Sequence, residues 1–407
     1  MLRRLRVKNF KLLRDVEIEF EAGAPTVLIG PNASGKSTVI EVLDFLGRCA
    51  QDGLQEAVVA HGGISTMSTA GAGTVEIDTE WNFAGDLDFP WDQREDLELH
   101  WKFKLSGLSG SAGVFNESLR DGERVLVGAT AQNRHVAFDE SKPDHGRAIT
   151  PGTLAFEGVN DSFSFPRLAR LRERVGAIRV LGALATTPSW ARSSVERASA
   201  RDSVVLSTQE FVGREGLGLA AALYNLHTDH GDAWGRLERA FKGEFPFVRR
   251  IVFPADPGGS RISFAIEDQR FSGRKIYASE MSDGMIVYLC LLSLILHPQQ
   301  KGVLALDEPD AHLHPSALRR LMALAHEQHG TRALVIATHS NVLLDELRDP
   351  AASVRIVEPS PEGARIRRLD PDALTAWRTD YSLSDLRRTG LLDSSNTAYP
   401  ASAASDE

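Results

Sequence analysis

The chain has 407 residues, 42% of them hydrophobic and 25% charged, with a formal net charge of −9 at pH 7. This is ordinary globular composition, with length enough for one large domain or two lobes around a real core. The acidic balance excludes a nucleic-acid binder of basic bulk composition, although a local basic patch remains compatible with it, and no run of about 18 apolar residues is present to span a membrane. Met1–Lys11 is basic but alternates apolar and charged residues, so it lacks the uninterrupted apolar core of a secretory signal. Cys49 and Cys290 sit inside apolar helical patterns, as expected for buried free thiols in a reducing cytoplasm.

In chain order, Leu5 and Val7, then Val16, Ile18 and Phe20, alternate with charged residues and predict two strands. A short apolar strand at Thr26–Ile29 leads through a glycine-containing turn into a helix from about Lys36 to Cys49, with Val39, Ile40, Val42, Leu43 and Leu46 at helical spacing. From about Gly71 to Phe165, short apolar runs (Val75–Asp78, Leu97–Trp101, Val125–Val127) are separated by Gly, Asn, Asp and Ser. They predict antiparallel strands with turns. Pro166–Arg174 reads as a short basic helix and Thr186–Ser203 as a polar loop. Helices follow at about Gly216–His227 and Ala233–Phe245. The final third alternates a helix (Ser282–Leu296), a strand (Val303–Leu306), a helix (Pro315–His326) and a strand (Ala333–Ala337). Such alternation indicates a largely parallel α/β sheet. Ser394–Glu407 is small and polar, and is expected to be disordered.

Chemistry concentrates at four places. Gly30-Pro31-Asn32-Ala33-Ser34-Gly35-Lys36-Ser37, followed by Thr38, fits G-x-x-x-x-G-K-[ST] between a strand and a helix. Glycines let successive N–H groups turn toward phosphate oxygens, and the helix presents its positive end to the same anion. Lys36 supplies a point charge for the β- and γ-phosphates and Ser37 a hydroxyl for Mg²⁺. The apolar run Val303–Leu306 ends in Asp307-Glu308. This places one carboxylate to bind Mg²⁺ through water and another to orient or deprotonate the attacking water. Thr338-His339-Ser340 follows the next apolar strand, where His339 can reach a γ-phosphate. Ser282-Asp283-Gly284 opens the apolar helix, with Ser282 a fair N-cap and the helix start a second anion site.

This order of motifs resembles the ABC-type ATPases, and within them the RecF/SMC-like branch of compact heads. Gly30–Ser37 resembles Walker A, Ser282-Asp283-Gly284 the ABC signature, Asp307-Glu308 Walker B with its catalytic glutamate, and His339 the switch histidine. Asp310–Pro315 resembles the D-loop segment of that branch, and Val7–Lys11, Gly213–Ala220 and Tyr381–Leu386 also fit it. The resemblance implies an α/β P-loop NTPase head with a mixed or antiparallel β subdomain and an inserted helical lobe. The expected divisions are 1–60 with Walker A, 61–270 as the inserted β-rich and helical lobe, 271–393 with the remaining motifs, and 394–407 as a tail. It further implies ATP and Mg²⁺ as ligands, catalysis by Glu308, His339 and Lys36, and metal binding by Ser37 and Asp307. Gly30–Thr38, Ser282 and Gly284 would contact nucleotide, with Ser282 and Gly284 capping ATP held by a second copy.

Two departures stand out. Asp283 and Met285 replace a glycine and a glutamine of the common signature, so Asp283 brings a negative charge toward a nucleotide. The Q-loop glutamine has two candidates, Gln132 and Gln209. No long coiled coil separates Ser37 from Ser282, and fewer than seventy residues follow His339, too few for a TOPRIM nuclease. The leading expectation is a cytoplasmic ATPase that dimerises on ATP and switches DNA maintenance or phage defence, touching DNA or a nuclease partner. The rival is an ATP-driven clamp that controls a protein effector without DNA. For DNA, the dense basic candidates are Arg167, Arg170, Arg172 and Arg174, with Arg192, Arg197 and Arg201.

Overall fold

A computed structural model describes residues 1–83, 97–108, 111–129, 135–138, 140, 146–158, 161–187, 198–205, 207, 209–254, 261–271, 274–327, 332–372, 374 and 382–389. Gln132, Arg192, Arg197, Tyr381 and the tail 394–407 therefore lie outside the described residues.

Charged and apolar residues alternate along β1 (Leu2–Phe10) and β2 (Leu13–Glu19), which pair antiparallel with Val7 opposite Val16. One face carries buried Leu5, Val7, Val16 and Ile18; the other carries ion pairs such as Arg6–Asp15. Six more strands extend this sheet: β4 (Thr74–Asn82), β5 (Glu98–Leu108), β6 (Ser111–Asp121), β7 (Arg124–Ala129), β8 (His135–Phe138) and β9 (Gly146–Ala148). With β3 (Thr26–Ile29) belonging elsewhere, the order is β2-β1-β4-β5-β6-β7-β8-β9. Periodicity alone does not reveal β6, because its Ser, Gly and Asn residues read as a break. Pairing on both sides, with β5 and with β7, holds it extended.

The second sheet is the head's parallel core. Its strands are β3, β10 (Arg179–Leu181), β16 (Leu304–Asp307), β17 (Leu334–Ala337), β18 (Val354–Ser360) and β19 (Gly363–Arg368), in the order β10-β16-β17-β3-β18-β19. All neighbours are parallel except the edge pair β18–β19. Strand period two sends alternate residues to opposite faces, and here both faces are buried. Val27, Ile29, Leu304, Leu306 and Ile336 face one apolar core, whereas Leu28, Ala305, Val335 and Ala337 face the other. The helix Lys36–Gln51 fills the second core, between this sheet and the antiparallel one. The helix Asp283–Leu296 fills the first, buried from Met285 to Leu296. Cys49 and Cys290 are free and buried, one in each core.

Between β10 and β16 lie the helices Leu219–Asp229 and Gly231–Glu244, the short pair β11 (Val204–Val205) and β13 (Arg261–Ile262), and a small antiparallel sheet. That sheet is β12 (Val248–Val252), β14 (Ala265–Asp268) and β15 (Lys275–Tyr277), in the order β12-β14-β15. No helix among the described residues is long and apolar enough to cross a membrane.

Candidate nucleotide-binding site

The sheet order brings distant motifs together. β17 lies between β16 and β3, so the C-terminal ends of three parallel strands open side by side, where α/β sheets bind ligands. β3 delivers the loop Gly30–Gly35. Gly30 has φ +152°, and a Cβ there would lie 2.0 Å from the carbonyl oxygen of Val357 on β18. Only a glycine allows β18 to pass this close. Ala33 (φ 59°) and Gly35 (φ 110°) then turn the chain through the left-handed region. The helix beginning at Lys36 has no side-chain cap, so the N–H groups of its first turn remain available to an anion. Ser34 Oγ is buried without a hydrogen-bond partner. The bare cradle and this orphaned hydroxyl fit a bound phosphate.

Lys36 is buried, and its ammonium donates to the carbonyl oxygens of Gly30 (3.0 Å) and Pro31 (2.9 Å). Burial lowers its pKa, against the attraction of Glu308. Ser37 Oγ donates to Asp307 Oδ1 at 3.2 Å, across 270 residues of sequence. Burial pushes the Asp307 carboxyl above its usual range, and the Ser37 hydrogen bond opposes the shift. A hydroxyl and a carboxylate together are hard oxygen donors suited to Mg²⁺, which ordinarily takes one or two carboxylates and completes its shell with water and phosphate. Among the described residues no group of three or more His, Cys, Asp and Glu could hold a metal by itself.

After Asp307 the chain turns sharply. Glu308 has φ 50°, its N–H donates to Ala337 O at 2.8 Å, and its side chain is more than half exposed. The left-handed residue ends the strand and frees the second carboxylate. His339 Nε2 stands 3.8 Å from Glu308 Oε1. Burial, then Lys36 and Arg387, lower the pKa of His339, which favours the neutral ring. Thr338 Oγ1 donates to Asp310 Oδ1 (2.5 Å), tying the loop after β16 to the end of β17.

Lys36, Ser37, Asp307, Glu308 and His339 thus converge, while Ser282 and Gly284 make other contacts. Ser282 caps its own helix by accepting from Met285 N, and Gly284 lies under the His312 carbonyl, where a Cβ would approach to 2.9 Å. Asp283 is ion-paired with the buried Arg201, so its charge is answered within the chain. Arg201 also donates to the carbonyls of Thr186, Ala278 and Met281. Gln209 does not reach the loop. It lines a cleft with Asp44 and Gln51 and donates to Phe211 O, and Asp44 itself stands about 12 Å along the helix from Lys36.

The structure also corrects the basic-patch expectation. Arg170 and Arg174 are 1% and 6% exposed, and both lie over the ring of Phe83. Arg167 pairs with Asp121 and Glu140, and Arg201 is buried at the signature. Of the described members, only Arg172 is exposed. The helix Pro166–Gly176 packs against the P-loop helix, and Arg174 on it donates to the carbonyl of Lys301. Conversely, Arg387 joins the site, with Nη1 donating to His339 O at 3.1 Å. No local pattern marked it, because it lies 48 residues from its partner.

Residues 26–345 match the sequence model of a family described as AAA domain, putative AbiEii toxin, Type IV TA system. Residues 4–46 match a second AAA domain model. No curated protein matches the chain. Among solved structures, an SMC head bound to the C-winged helix domain of ScpA aligns with TM-score 0.54 and 16% identity, covering 92% of this chain and 99% of that one. An Smc head with an extended coiled coil, bound to the C-terminal domain of ScpA derived from Pyrococcus furiosus, aligns at TM-score 0.49, 14% identity and 93% and 98% coverage. The SMC head domain from Thermotoga maritima gives 0.44, 14%, 91% and 99%. At such identities the first likeness establishes the fold, an ABC-type P-loop head.

Proposed function

The chain belongs to the AAA-domain family described as putative AbiEii toxin of the type IV TA system, and on that premise we propose that it is a Mg²⁺-dependent ATPase acting as a nucleotide switch. The observation that carries the reading is the 3.2 Å contact of Ser37 with Asp307, with Lys36, Glu308 and His339 around it. Gly30–Thr38 would cradle the phosphates, and Lys36 would answer the β- and γ-phosphate charge. Bound Mg²⁺, held by Ser37 and Asp307, would neutralise charge developing on the phosphates. Glu308, free at the end of its strand, would orient the attacking water, and the neutral His339 would hold a γ-phosphate oxygen. Ser282 and Gly284 contact their own helix and the His312 carbonyl rather than the Gly30–Gly35 loop, which supports their use on a second copy's nucleotide. ATP would then join two chains and hydrolysis release them.

Of the biological settings open to such a switch, the family description supports defence of the toxin–antitoxin kind. Burial of Arg170, Arg174 and Arg201 supports control of a protein effector over direct contact with DNA. The test is Glu308→Gln with ATP and Mg²⁺. Turnover should stop while ATP still binds, and light scattering should register a dimer. Hydrolysis at the wild-type rate would remove Glu308 from its role. Stimulation of the wild-type rate by duplex DNA would return the DNA reading to first place.

A further inference from the structure

We propose that Arg387 reads the terminal phosphate of the nucleotide, so that the short helix Leu383–Arg388 distinguishes ATP from ADP. The inference rests on the nucleotide-site reading above and adds to it a residue that no motif contains.

Placement comes first. Ser382 and Asp385 close a reciprocal cap at the start of this helix, with Asp385 N donating to Ser382 Oγ at 3.1 Å. Leu383 and Leu386 are buried in the core beside Leu343 and Leu344. Ser384 N donates to Asp345 Oδ1 at 3.1 Å. The helix is therefore docked on the segment that follows His339, and Arg387, about half a turn past Asp385, is held toward the P-loop mouth. There it lines an open groove with Gly30, Pro31, Asn32, His339 and Glu358.

Charge comes second. Arg387 Nη1 donates to His339 O (3.1 Å), and Nη2 lies 3.5 Å from His339 Nδ1. A guanidinium has five N–H donors in a planar fork, so donors remain for an anion. Among the described residues Arg387 makes no ion pair, and the one carboxylate in the groove, Glu358, is paired with Arg367 at 3.0 Å. Lys36 and Arg387 are both cationic and repel each other. Two such charges at one mouth are held together by the packing of the fold rather than by any carboxylate at Arg387. A polyanion is the ligand class that relieves this arrangement.

Position along the nucleotide comes third. Lys36 answers the β- and γ-phosphates and Ser37 serves Mg²⁺, whereas His339 is the residue that would hold a γ-phosphate oxygen. Arg387 contacts His339 directly and shares its groove, which Ser37 and Thr38 do not line. Its donors accordingly fall to oxygens that ATP possesses and ADP lacks.

The experiment is calorimetric titration of the full chain, in the Glu308→Gln background that prevents turnover, with Mg-ATP and separately Mg-ADP. Arg387→Ala should weaken ATP about 10- to 100-fold, the range of one or two charge-assisted hydrogen bonds, and change ADP by less than about threefold. Arg387→Lys, which keeps the charge but not the fork, should recover part of the ATP affinity. Equal losses for both nucleotides, or none for either, would overturn the assignment. Lys36→Ala separates this from the parent reading: if that variant binds ATP as the wild type does, the nucleotide site itself is misplaced and the role of Arg387 falls with it.

Discussion

Replacing Arg201 and Asp283 singly and together measures how the signature helix is held. Arg201 is buried, with its side chain 4% exposed, and it spends its donors on Thr186 O, Ala278 O, Met281 O and Asp283 Oδ1. Arg201→Met leaves three carbonyls without their donor and Asp283 without its cation. By the cost of breaking a buried charged network, this should destabilise the protein by about 3–5 kcal/mol. Asp283→Asn keeps a carboxamide oxygen in place and removes the charge. Asp283 is nearly half exposed (48%), so solvent screens the pair and the loss should be only about 1 kcal/mol. Burial opposes ionisation of Asp283, and hydrogen bonds from Arg201 and Thr186 overcome it, holding its pKa below the ordinary value. The contribution of the pair is therefore present at neutral pH and is lost as pH falls through the folded-state pKa. The double variant should fall short of the summed losses by about 1 kcal/mol. Urea midpoints at pH 7 and pH 3 supply the numbers, and the coupling should shrink at the lower pH. Additivity within about 0.3–0.5 kcal/mol at pH 7 would refute the claim that Arg201 and Asp283 act as a unit.

Mixing Lys36→Ala with Ser282→Arg tests the shared site: each variant should be inactive, and the mixture should regain part of the ATPase activity because one of its two sites takes intact residues from both chains. No recovery at any ratio, together with no ATP-dependent cross-link between cysteines placed at Ser34 and Asp283 in Glu308→Gln, would remove the composite site. Gly30→Ala should lose nucleotide binding and about 1–3 kcal/mol of stability, because its Cβ would meet Val357 O at 2.0 Å; an unaltered melting temperature would contradict that contact. Glu117, fully buried under Trp101 Nε1 and Ala155 N (both 2.8 Å), has its pKa raised by burial to about 7. The folded state thus favours the protonated acid, and stability should fall by ~3 kcal/mol as pH rises from the unfolded pKa toward 7. Glu117→Gln should remove that slope in urea titrations between pH 4.5 and 8, even though the amide costs one acceptor and lowers stability at acid pH; an unchanged slope would assign it elsewhere.

Local sequence carried the candidate chemistry because each candidate motif is short and strung on its own strand end. Gly30–Ser37, Asp307-Glu308 and His339 could be read from a turn, an apolar run and a carboxylate without knowing what lay beside them. The short apolar runs at Thr26–Ile29, Val303–Leu306 and Ala333–Ala337 likewise mark strands buried on both faces, since a buried helix needs a longer run, as at Met285–Leu296. Periodicity reports which face of an element is apolar, and it is silent on what covers that face. For that reason only the tertiary structure placed β17 between β16 and β3, which closes Ser37 onto Asp307. The same limit applies to charge. Arg170, Arg174 and Arg201 look like a solvated basic patch in a list of residues, but carbonyls, a carboxylate and the ring of Phe83 supplied from other elements let them be buried. Arg387 shows the converse: an unremarkable residue near the end of a short helix becomes part of the site because Leu383 and Leu386 need a core to pack against, and the available core lies beside His339.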